Sequence, residues 1–376
     1  MPKLRKALPM RNVFIRRLSP TESPWAIGAM TAGSVVLAFL VAAILFLPFE
    51  SNPLQAYVSV FDASLGSWRG LAITLNRAAP LILIALGTCI AWRAGFGFLG
   101  FEGCLTLGAA ATAWFALLAL DDGFAASFPV VLFFLIAIFL SFVTGGIWAG
   151  GIGLLRSRFG GNEVLISLMS NYVAALFVQY LVAGPMRAPG SLPQTPRFPV
   201  ETWLPNLIPG TRGHIAIVIA VVASGLVWLL MSRMRLGYDF IVTGINPRAA
   251  RYGGINVGYK YVLAAFFAGG LGAMAGLVEV LGTQHRLLDG LSGGIGFIGI
   301  IVALLAKLNP LAVVPAAILY AALAVGGDAL QRSTGAPSSI ISILQSLIVL
   351  FVLASDFLRY YQIRSPFSRY GVTNHA

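Results

Sequence analysis

Charge is scarce in this chain, and that scarcity excludes most functional classes. Only 10% of its 376 residues are charged, whereas soluble domains carry roughly 25%. A chain so poor in charge cannot cover a water-soluble surface, which argues against a soluble enzyme, a disordered protein and a nucleic-acid binder. Hydrophobic residues make up 58% of the sequence, and the mean hydropathy is +0.86. The composition is that of a polytopic membrane protein.

Residues that carry chemistry are sparse as well. Cys89 and Cys104 lie inside apolar segments, with no Cys-x-x-Cys and no nearby His to complete a metal-ligand spacing. No lysine is followed by Ser or Thr, so the Walker A pattern is absent, and no His-Glu-x-x-His motif occurs. The chain is therefore not predicted to be an enzyme, and any ATP-driven step requires another polypeptide.

What the chain has is a series of apolar runs of about 20 residues, the length that crosses roughly 30 Å of hydrocarbon. Ten candidates fall near residues 25–47, 70–91, 102–120, 128–154, 163–183, 214–232, 260–282, 294–307, 310–326 and 339–356. The first run is too long for the apolar core of a cleavable signal and is interpreted as a retained span. The sequence predicts an all-α membrane protein, with a basic N-terminus over 1–24, a transmembrane domain over 25–358 and a tail over 359–376.

The net charge of +12 indicates orientation rather than a nucleic-acid partner, because most basic residues lie in short stretches between the apolar runs. If the N-terminus is inside, the inner loops hold most of these bases. The outer segments then contain Asp62, Asp121, Asp122, Glu201, Asp289 and Asp328. The positive-inside rule therefore predicts that both termini are cytoplasmic.

Two predicted loops are long enough to have a role of their own. The segment 184–212 lies outside and contains seven prolines, so it cannot keep regular helix for long and is interpreted as an extracytoplasmic docking loop. The segment 233–260 lies inside and contains Asn246 followed by Pro247. Asn caps first-turn amides and Pro suits the first helical position, so a short helix beneath the membrane is predicted. A basic loop that only touches lipid headgroups is the alternative.

One short pattern occurs twice. Gly-Phe-Leu-Gly at 97–100 and Gly-Phe-Ile-Gly at 296–299 each begin a short, glycine-interrupted apolar segment. In the predicted topology the first copy lies near the inner face and the second near the outer face. The two halves would then be inverted repeats with short broken helices, an arrangement typical of transporters. Chance, or close helix packing by glycine, is the alternative.

Several polar side chains fall inside apolar runs. Because exposing a polar group to lipid costs free energy, these side chains must face protein or water. Glu102, Glu163, Asn171 and Glu279 are candidate functional residues on that ground. Two structural alternatives stay open. Asn171 can join neighbouring helices by hydrogen bonds, and Glu163 can complement the dipole of its own helix.

Four stretches together resemble the permease subunits of bacterial ABC importers in the ribose and branched-chain amino acid permease superfamily, most closely its nucleoside and simple-sugar branch. The stretches are 95–103 (GFGFLGFEG), 161–172 (GNEVLISLMSNY), 244–257 (GINPRAARYGGINV) and 292–305 (SGGIGFIGIIVALL). Phe98 and Cys104 stand where members commonly have Asn and Gln, so the solute stays open between a nucleoside-like compound and another solute.

The resemblance implies that the subunit pairs with a second, usually different, permease, rests on a cytoplasmic ABC ATPase and receives solute from an extracytoplasmic binding protein. ATP and Mg would bind the ATPase, with no cofactor or metal in this chain. The third stretch would be the helix that couples to the ATPase, formed by Gly244, Asn246, Arg248, Ala249, Ala250 and Arg251. The first and fourth stretches would place Phe98, Glu102 and Phe297 on the translocation pathway, to which the polar-residue argument adds Asn171 and Glu279.

The sequence thus predicts a multi-pass permease subunit of the bacterial inner membrane, in an ATP-driven importer for nucleosides or related simple sugars. Its expected partners are the lipid bilayer, the solute and the three proteins named above, without nucleic acid. A secondary carrier or channel for a small polar solute, working without an ATPase, is the main alternative. A membrane anchor without transport is a weaker alternative, because the intramembrane acids and broken segments argue against it.

Overall fold

The computed structural model describes residues 15–17, 33–34, 36–41, 43, 53–119, 128–190, 192–207, 210–211, 213–334 and 339–363. The chain divides into two units, one formed by 54–338 and one by the two ends, 1–53 and 339–376. Most of the predicted N-terminal segment 1–24 and first span 25–47 lies outside the described residues. The described residues between 33 and 43 are helical.

The described part of the larger unit is built from eleven α-helices. They are α1 (Pro53–Ser64), α2 (Trp68–Arg93), α3 (Phe101–Leu117), α4 (Val130–Phe159), α5 (Glu163–Ala183), α6 (Ala216–Arg233), α7 (Arg235–Ile245), α8 (Pro247–Tyr252), α9 (Val257–Val278), α10 (Ile295–Leu305) and α11 (Pro310–Thr334). A π-helical segment, Glu279–Gln284, continues α9, and a 3₁₀ turn covers Val200–Thr202.

The other unit contains α12 (Ser339–Tyr360) and two three-residue strands, β1 (Ile15–Arg17) and β2 (Tyr361–Ile363). The strands pair antiparallel, with Ile15 opposite Ile363. This pairing joins residues from the two ends of the chain, and no local pattern in the sequence indicated it.

The prediction of an all-α membrane protein is confirmed. Six described helices are long and apolar enough to cross a membrane, and shorter apolar helices lie over Phe101–Leu117, Ile295–Leu305 and Ser339–Val352. Each predicted run from 70–91 onward corresponds to a helix, although α11 continues to Thr334 rather than ending near 326. The sequence reasoning missed α1 and α7, because helices of 12 and 11 residues are too short to stand out as spans.

Asparagine caps set three helix starts. Asn162 accepts hydrogen bonds from the amides of Val164 and Leu165 at the start of α5. Asn246 caps α8, and Asn256 caps α9 through the amide of Tyr259. Because these bonds satisfy first-turn amides that have no partner inside the helix, they fix where each helix begins.

Helices α4 and α9 approach backbone to backbone at Gly145 and Gly269. A Cβ added to Gly145 would lie 2.4 Å from the carbonyl oxygen of Gly269, and one added to Gly269 would lie 2.3 Å from the carbonyl oxygen of Gly145. Ala149 and Ala273 border the same contact. Such small-residue interfaces let helix backbones approach closely in membranes, where burial from water does not drive association.

Candidate functional site

A cavity of about 1120 Å³ lies within the larger unit. Five segments line it: the first turns of α2, the loop between α5 and α6, the π-helical end of α9, the entry to α10, and α11. All five are helix ends or loops that the charge pattern assigns to the outer side. The cavity is slightly larger than the roughly 300–1,000 Å³ typical of small-molecule sites, which have mostly apolar walls with a few placed polar groups.

Charged side chains of both signs face this cavity. Glu279 is buried, with 8% of its surface exposed, and lies within electrostatic reach of Arg77. Arg77 also forms an ion pair with Asp328, with 2.6 Å between its Nη2 and the carboxylate Oδ2. Arg69 and Arg197 add two further cations to the lining. The described cavity wall is therefore predominantly basic.

Three flat groups are stacked on one wall of the cavity. The ring of Trp203 lies parallel to that of His285, with 3.8 Å between centroids, and the Arg197 guanidinium lies 4.7 Å from the Trp203 ring. The Trp203 indole N–H donates to the carbonyl of Phe198 at 3.1 Å. Since both faces of Trp203 are occupied, this stack holds the wall together and leaves ring edges toward the cavity.

The proline-rich loop is joined to the end of α9 by backbone hydrogen bonds. Thr195 donates to Leu287 at 3.0 Å, Phe198 donates to His285 at 3.0 Å, and Leu204 donates to Leu281 at 3.1 Å. Among its described residues the loop holds only the 3₁₀ turn, as its prolines led us to expect. The loop thus forms a wall of the cavity that is attached to the π-helical segment.

His214 is a buried titratable group at the base of this loop. Its backbone N–H donates to Asn76 Oδ1 at 3.1 Å, and a Cβ added to Gly282 would lie 2.6 Å from its ring Nε2. Neither ring nitrogen has a hydrogen-bond partner among the described residues. Burial, together with a smaller effect of nearby His285, lowers the pKa of His214 to about 4. His214 is therefore neutral at pH 7.

Acidification is expected to destabilise this region through His214. The pKa is about 4 in the fold and about 6.5 in an unfolded chain, so the unfolded chain binds more protons between these values. The stability contributed above pH 6.5 is lost as the pH falls toward 4. Melting temperatures of the purified protein at pH 7 and pH 5 test this, with His214→Leu as the comparison. An equal loss in both proteins would contradict the assignment.

Helix α3 is a short helix whose first turn meets the first turn of α10. A Cβ added to Gly296 would lie 2.6 Å from the backbone nitrogen of Glu102. The Glu102 carboxylate points at α10, where the Ser292 side chain and the amides of Gly296 and Phe297 are polar groups within its reach. Neither carboxylate oxygen makes a hydrogen bond of good geometry among the described residues. The second glycine motif thus lies against the first turn of α3, which directly follows the first motif.

A polar stripe on α5 holds the segment that leads into α3. Glu163, Ser167 and Asn171 are spaced by four residues and so share one helix face. Glu163 accepts a hydrogen bond from the amide of Gly97 at 3.3 Å, and Ser167 accepts one from that of Leu99 at 3.1 Å. Glu163 also forms an ion pair with Arg156. The stripe thus provides hydrogen-bond acceptors for the amides of Gly97 and Leu99, which lie outside any helix.

Asn171 completes this polar stripe with both ends of its amide. Its Oδ1 accepts from the amide of Gly103 at 2.9 Å, and its Nδ2 donates to the carbonyl of Leu99 at 3.0 Å. The side chain is buried, with 8% of its surface exposed. These bonds match the structural alternative that the sequence left open for Asn171, and the residue does not line the cavity.

The remaining pathway candidates are separated by the fold. Glu279 lies on the cavity wall. Glu102 does not line the cavity but faces Ser292, which does. Phe98, expected on the pathway, is instead fully buried and packs edge-on against Phe101 with 4.9 Å between ring centroids. Phe297 is 44% exposed and lies outside the cavity lining.

The short helix predicted at Asn246-Pro247 is present as α8. Asn246 Oδ1 accepts from the amides of Arg248 and Ala249, each at 3.1 Å. Arg248, Ala249 and Arg251 are exposed, whereas Ala250 is buried. Of the six residues expected to couple to an ATPase, Ala250 and the partly buried Gly244 face the protein interior.

Sequence reasoning missed several cavity residues, among them Asn76, Arg77 and Trp203. Asn76 and Arg77 lie inside the predicted span 70–91, so the cost of burying polar groups in lipid was a signal that could have found them. Trp203 lies in the proline-rich loop and carries no comparable signal. Its position depends on the ring contacts with Arg197 and His285.

Comparisons with known proteins place this chain in a family. Residues 70–353 match the family model "Branched-chain amino acid transport system / permease component". The chain is 31% identical over 93% of its length to the glucose ABC transporter permease protein TsgB13 of Haloferax volcanii, of which 93% is covered. It is 28% identical over 85% to the nucleoside ABC transporter permease protein NupB of Lactococcus lactis, of which 88% is covered. It is 26% identical over 87% to the guanosine ABC transporter permease protein NupP of Bacillus subtilis, of which 93% is covered. The chain belongs to the family of permease components of branched-chain amino acid transport systems.

Proposed function

We propose that the chain is the transmembrane permease subunit of an ATP-driven importer for nucleosides or related simple sugars. The observation that carries this proposal is α8, a capped six-residue helix that presents Arg248, Ala249 and Arg251 on the side predicted to be cytoplasmic. An exposed basic helix between two spans fits a contact with a separate ATPase. Relatives described as permeases for glucose, nucleosides and guanosine support the solute class.

The cavity supports uptake of a polar solute with a flat or ring-shaped part. Its wall combines Arg69, Asn76 and Glu279 with the aromatic groups of Trp203 and Tyr320. Convergent polar groups can bind the hydroxyls of a sugar or nucleoside, and an aromatic edge can contact the face of a nucleobase edge-to-face. A binding protein would deliver the solute at the proline-rich loop. ATP and Mg would be bound by the ATPase, and both termini would be cytoplasmic.

A second permease subunit is part of the proposal. Helix α5 exposes Tyr172 by 68% and Tyr180 by 66%, and Gln179 is exposed on the same helix. Tyrosine hydroxyls exposed on a membrane-spanning helix are costly against lipid, so this face suits another protein. We propose that a different permease covers it.

The test is co-purification of the tagged chain from its native membrane in mild detergent, compared with Arg248→Glu/Arg251→Glu. We expect the native chain to recover an ATPase and a second permease, with hydrolysis raised by a binding protein loaded with nucleoside. The variant should lose the ATPase and about tenfold or more of uptake, because the charge complementarity of the contact is reversed. Arg332→Glu, an exposed reversal on α11, is the matched control.

A carrier working without an ATPase predicts the opposite pattern. Uptake by the double variant at the native rate, or solute movement by the lone chain in liposomes without ATP, would overturn the importer. A native complex that responds to another solute class would retain the importer and overturn the nucleoside and sugar assignment.

A further inference from the structure

The end of α7 and the linker after α2 touch backbone to backbone. A Cβ added to Gly244 would lie 2.1 Å from the carbonyl oxygen of Arg93 and 2.9 Å from the nitrogen of Gly95. A Cβ added to Gly95 would lie 2.9 Å from the Cα of Gly244. Gly95 also has a φ of +74°, a conformation that other residues rarely adopt. Neither position has room for a side chain.

On one side of this contact, α7 and α8 are consecutive helices joined by hydrogen-bonded backbone. The amide of Asn246 donates to the carbonyl of Val242 at 3.0 Å, while the Asn246 side chain caps α8. Gly244 thus lies three residues before the first residue of α8, with hydrogen-bonded backbone between them. Displacement of α8 by a partner protein would move Gly244 with it.

On the other side, the linker 94–100 is a packed segment that ends at α3. Phe96 and Phe98 are fully buried with 6.0 Å between ring centroids, and the Trp92 indole donates to the Phe98 carbonyl at 3.3 Å. Two residues after the linker comes Glu102, which faces the cavity lining through Ser292. Close packing transmits displacement because interiors compress little.

We infer that Gly244 and Gly95 are positioning residues of the transport cycle, whose backbone contact delivers movement of α8 to the linker 94–100 and hence to Glu102. This inference rests on the proposed function, since it requires an ATPase that moves α8. It assigns a role to two glycines through their backbone contact rather than through a side chain.

The first experiment compares Gly244→Ala and Gly95→Ala with Gly253→Ala, in the assembled complex. Gly253 lies in the same loop, but its added Cβ would meet nothing closer than 3.5 Å. We expect Gly244→Ala and Gly95→Ala to lose about tenfold or more of uptake, with recovery of the ATPase and ATP hydrolysis within about twofold of native. The ATPase still binds α8, but its movement no longer reaches the linker 94–100. Gly253→Ala should transport normally.

Two results would overturn the inference. One is native uptake by Gly244→Ala, and the other is a loss of uptake matched by an equal loss of ATPase recovery, which would assign the contact to the docking surface alone. If the native chain recovers no ATPase, the proposed function fails instead.

A measurement on the native complex avoids variants that do not fold. Hydrogen exchange is followed with and without a non-hydrolysable ATP analogue, since exchange reports local opening of backbone hydrogen bonds. We expect amides of 94–103 to change together with those of 235–252. A change confined to 235–252 would overturn the inference.

Discussion

Replacing Gly145 with leucine is expected to abolish accumulation of the folded protein. The glycine faces Gly269 of α9, and even a Cβ would lie 2.4 Å from the Gly269 carbonyl oxygen and 2.4 Å from the Ala273 side chain. Backbone atoms cannot give way as a flexible side chain can, so α4 and α9 must separate along their length. Overpacking costs typically about 1–3 kcal/mol and occasionally more, and the upper end is expected here because backbone atoms stand in the way.

Gly151→Leu is the matched control, because Gly151 lies on the same helix and an added Cβ there would meet nothing within 4 Å. Both variants add the same apolar side chain to α4, so membrane insertion should be equally favourable for both. Fluorescence-detected size exclusion and thermal melting measure folded yield. If Gly145→Leu has the same melting temperature as Gly151→Leu, the close packing contributes little to stability.

Asn171→Leu is expected to lower both stability and uptake. It leaves the buried amide of Gly103 and the partly buried carbonyl of Leu99 without the partners that Asn171 supplies. An unsatisfied buried polar group costs about 1–3 kcal/mol, with the cost for Leu99 at the lower end, so the pair costs about 2 kcal/mol or more. Because these groups begin α3, the position of Glu102 against α10 is lost as well.

Gln179→Leu is the control for this prediction. Gln179 is an exposed amide on the same helix, which donates to Asp289 at 3.0 Å, and loss of such a bond costs about 1 kcal/mol or less. Melting temperature and the concentration dependence of uptake are measured for both variants. If Asn171→Leu keeps the native melting temperature and only weakens apparent solute affinity, Asn171 contacts solute and the structural role is wrong.

Local signals in the sequence were sufficient to predict helix α8 but not the surroundings of Phe98. Asn246 caps amides only two and three residues away, so all the interacting groups lie within one short segment. The environment of Phe98 depends on Phe96, Phe101 and the carbonyl contact of Trp92, which only the folded linker brings together. The repeated glycine motifs indicated two broken helices, and only their contact at Gly296 showed where those helices meet.

The sequence by itself determined the all-α class, the positions of the described spans and the helix at Asn246-Pro247. These follow from hydropathy summed over about 20 residues and from bonds between near neighbours. The tertiary structure alone decided which polar side chains reach the cavity, how Asn171 is bonded, and that Gly145 meets Gly269 and Gly244 meets Gly95. Such contacts join residues 68 or more positions apart, and their identity depends on helix rotation and crossing, which hydropathy does not encode.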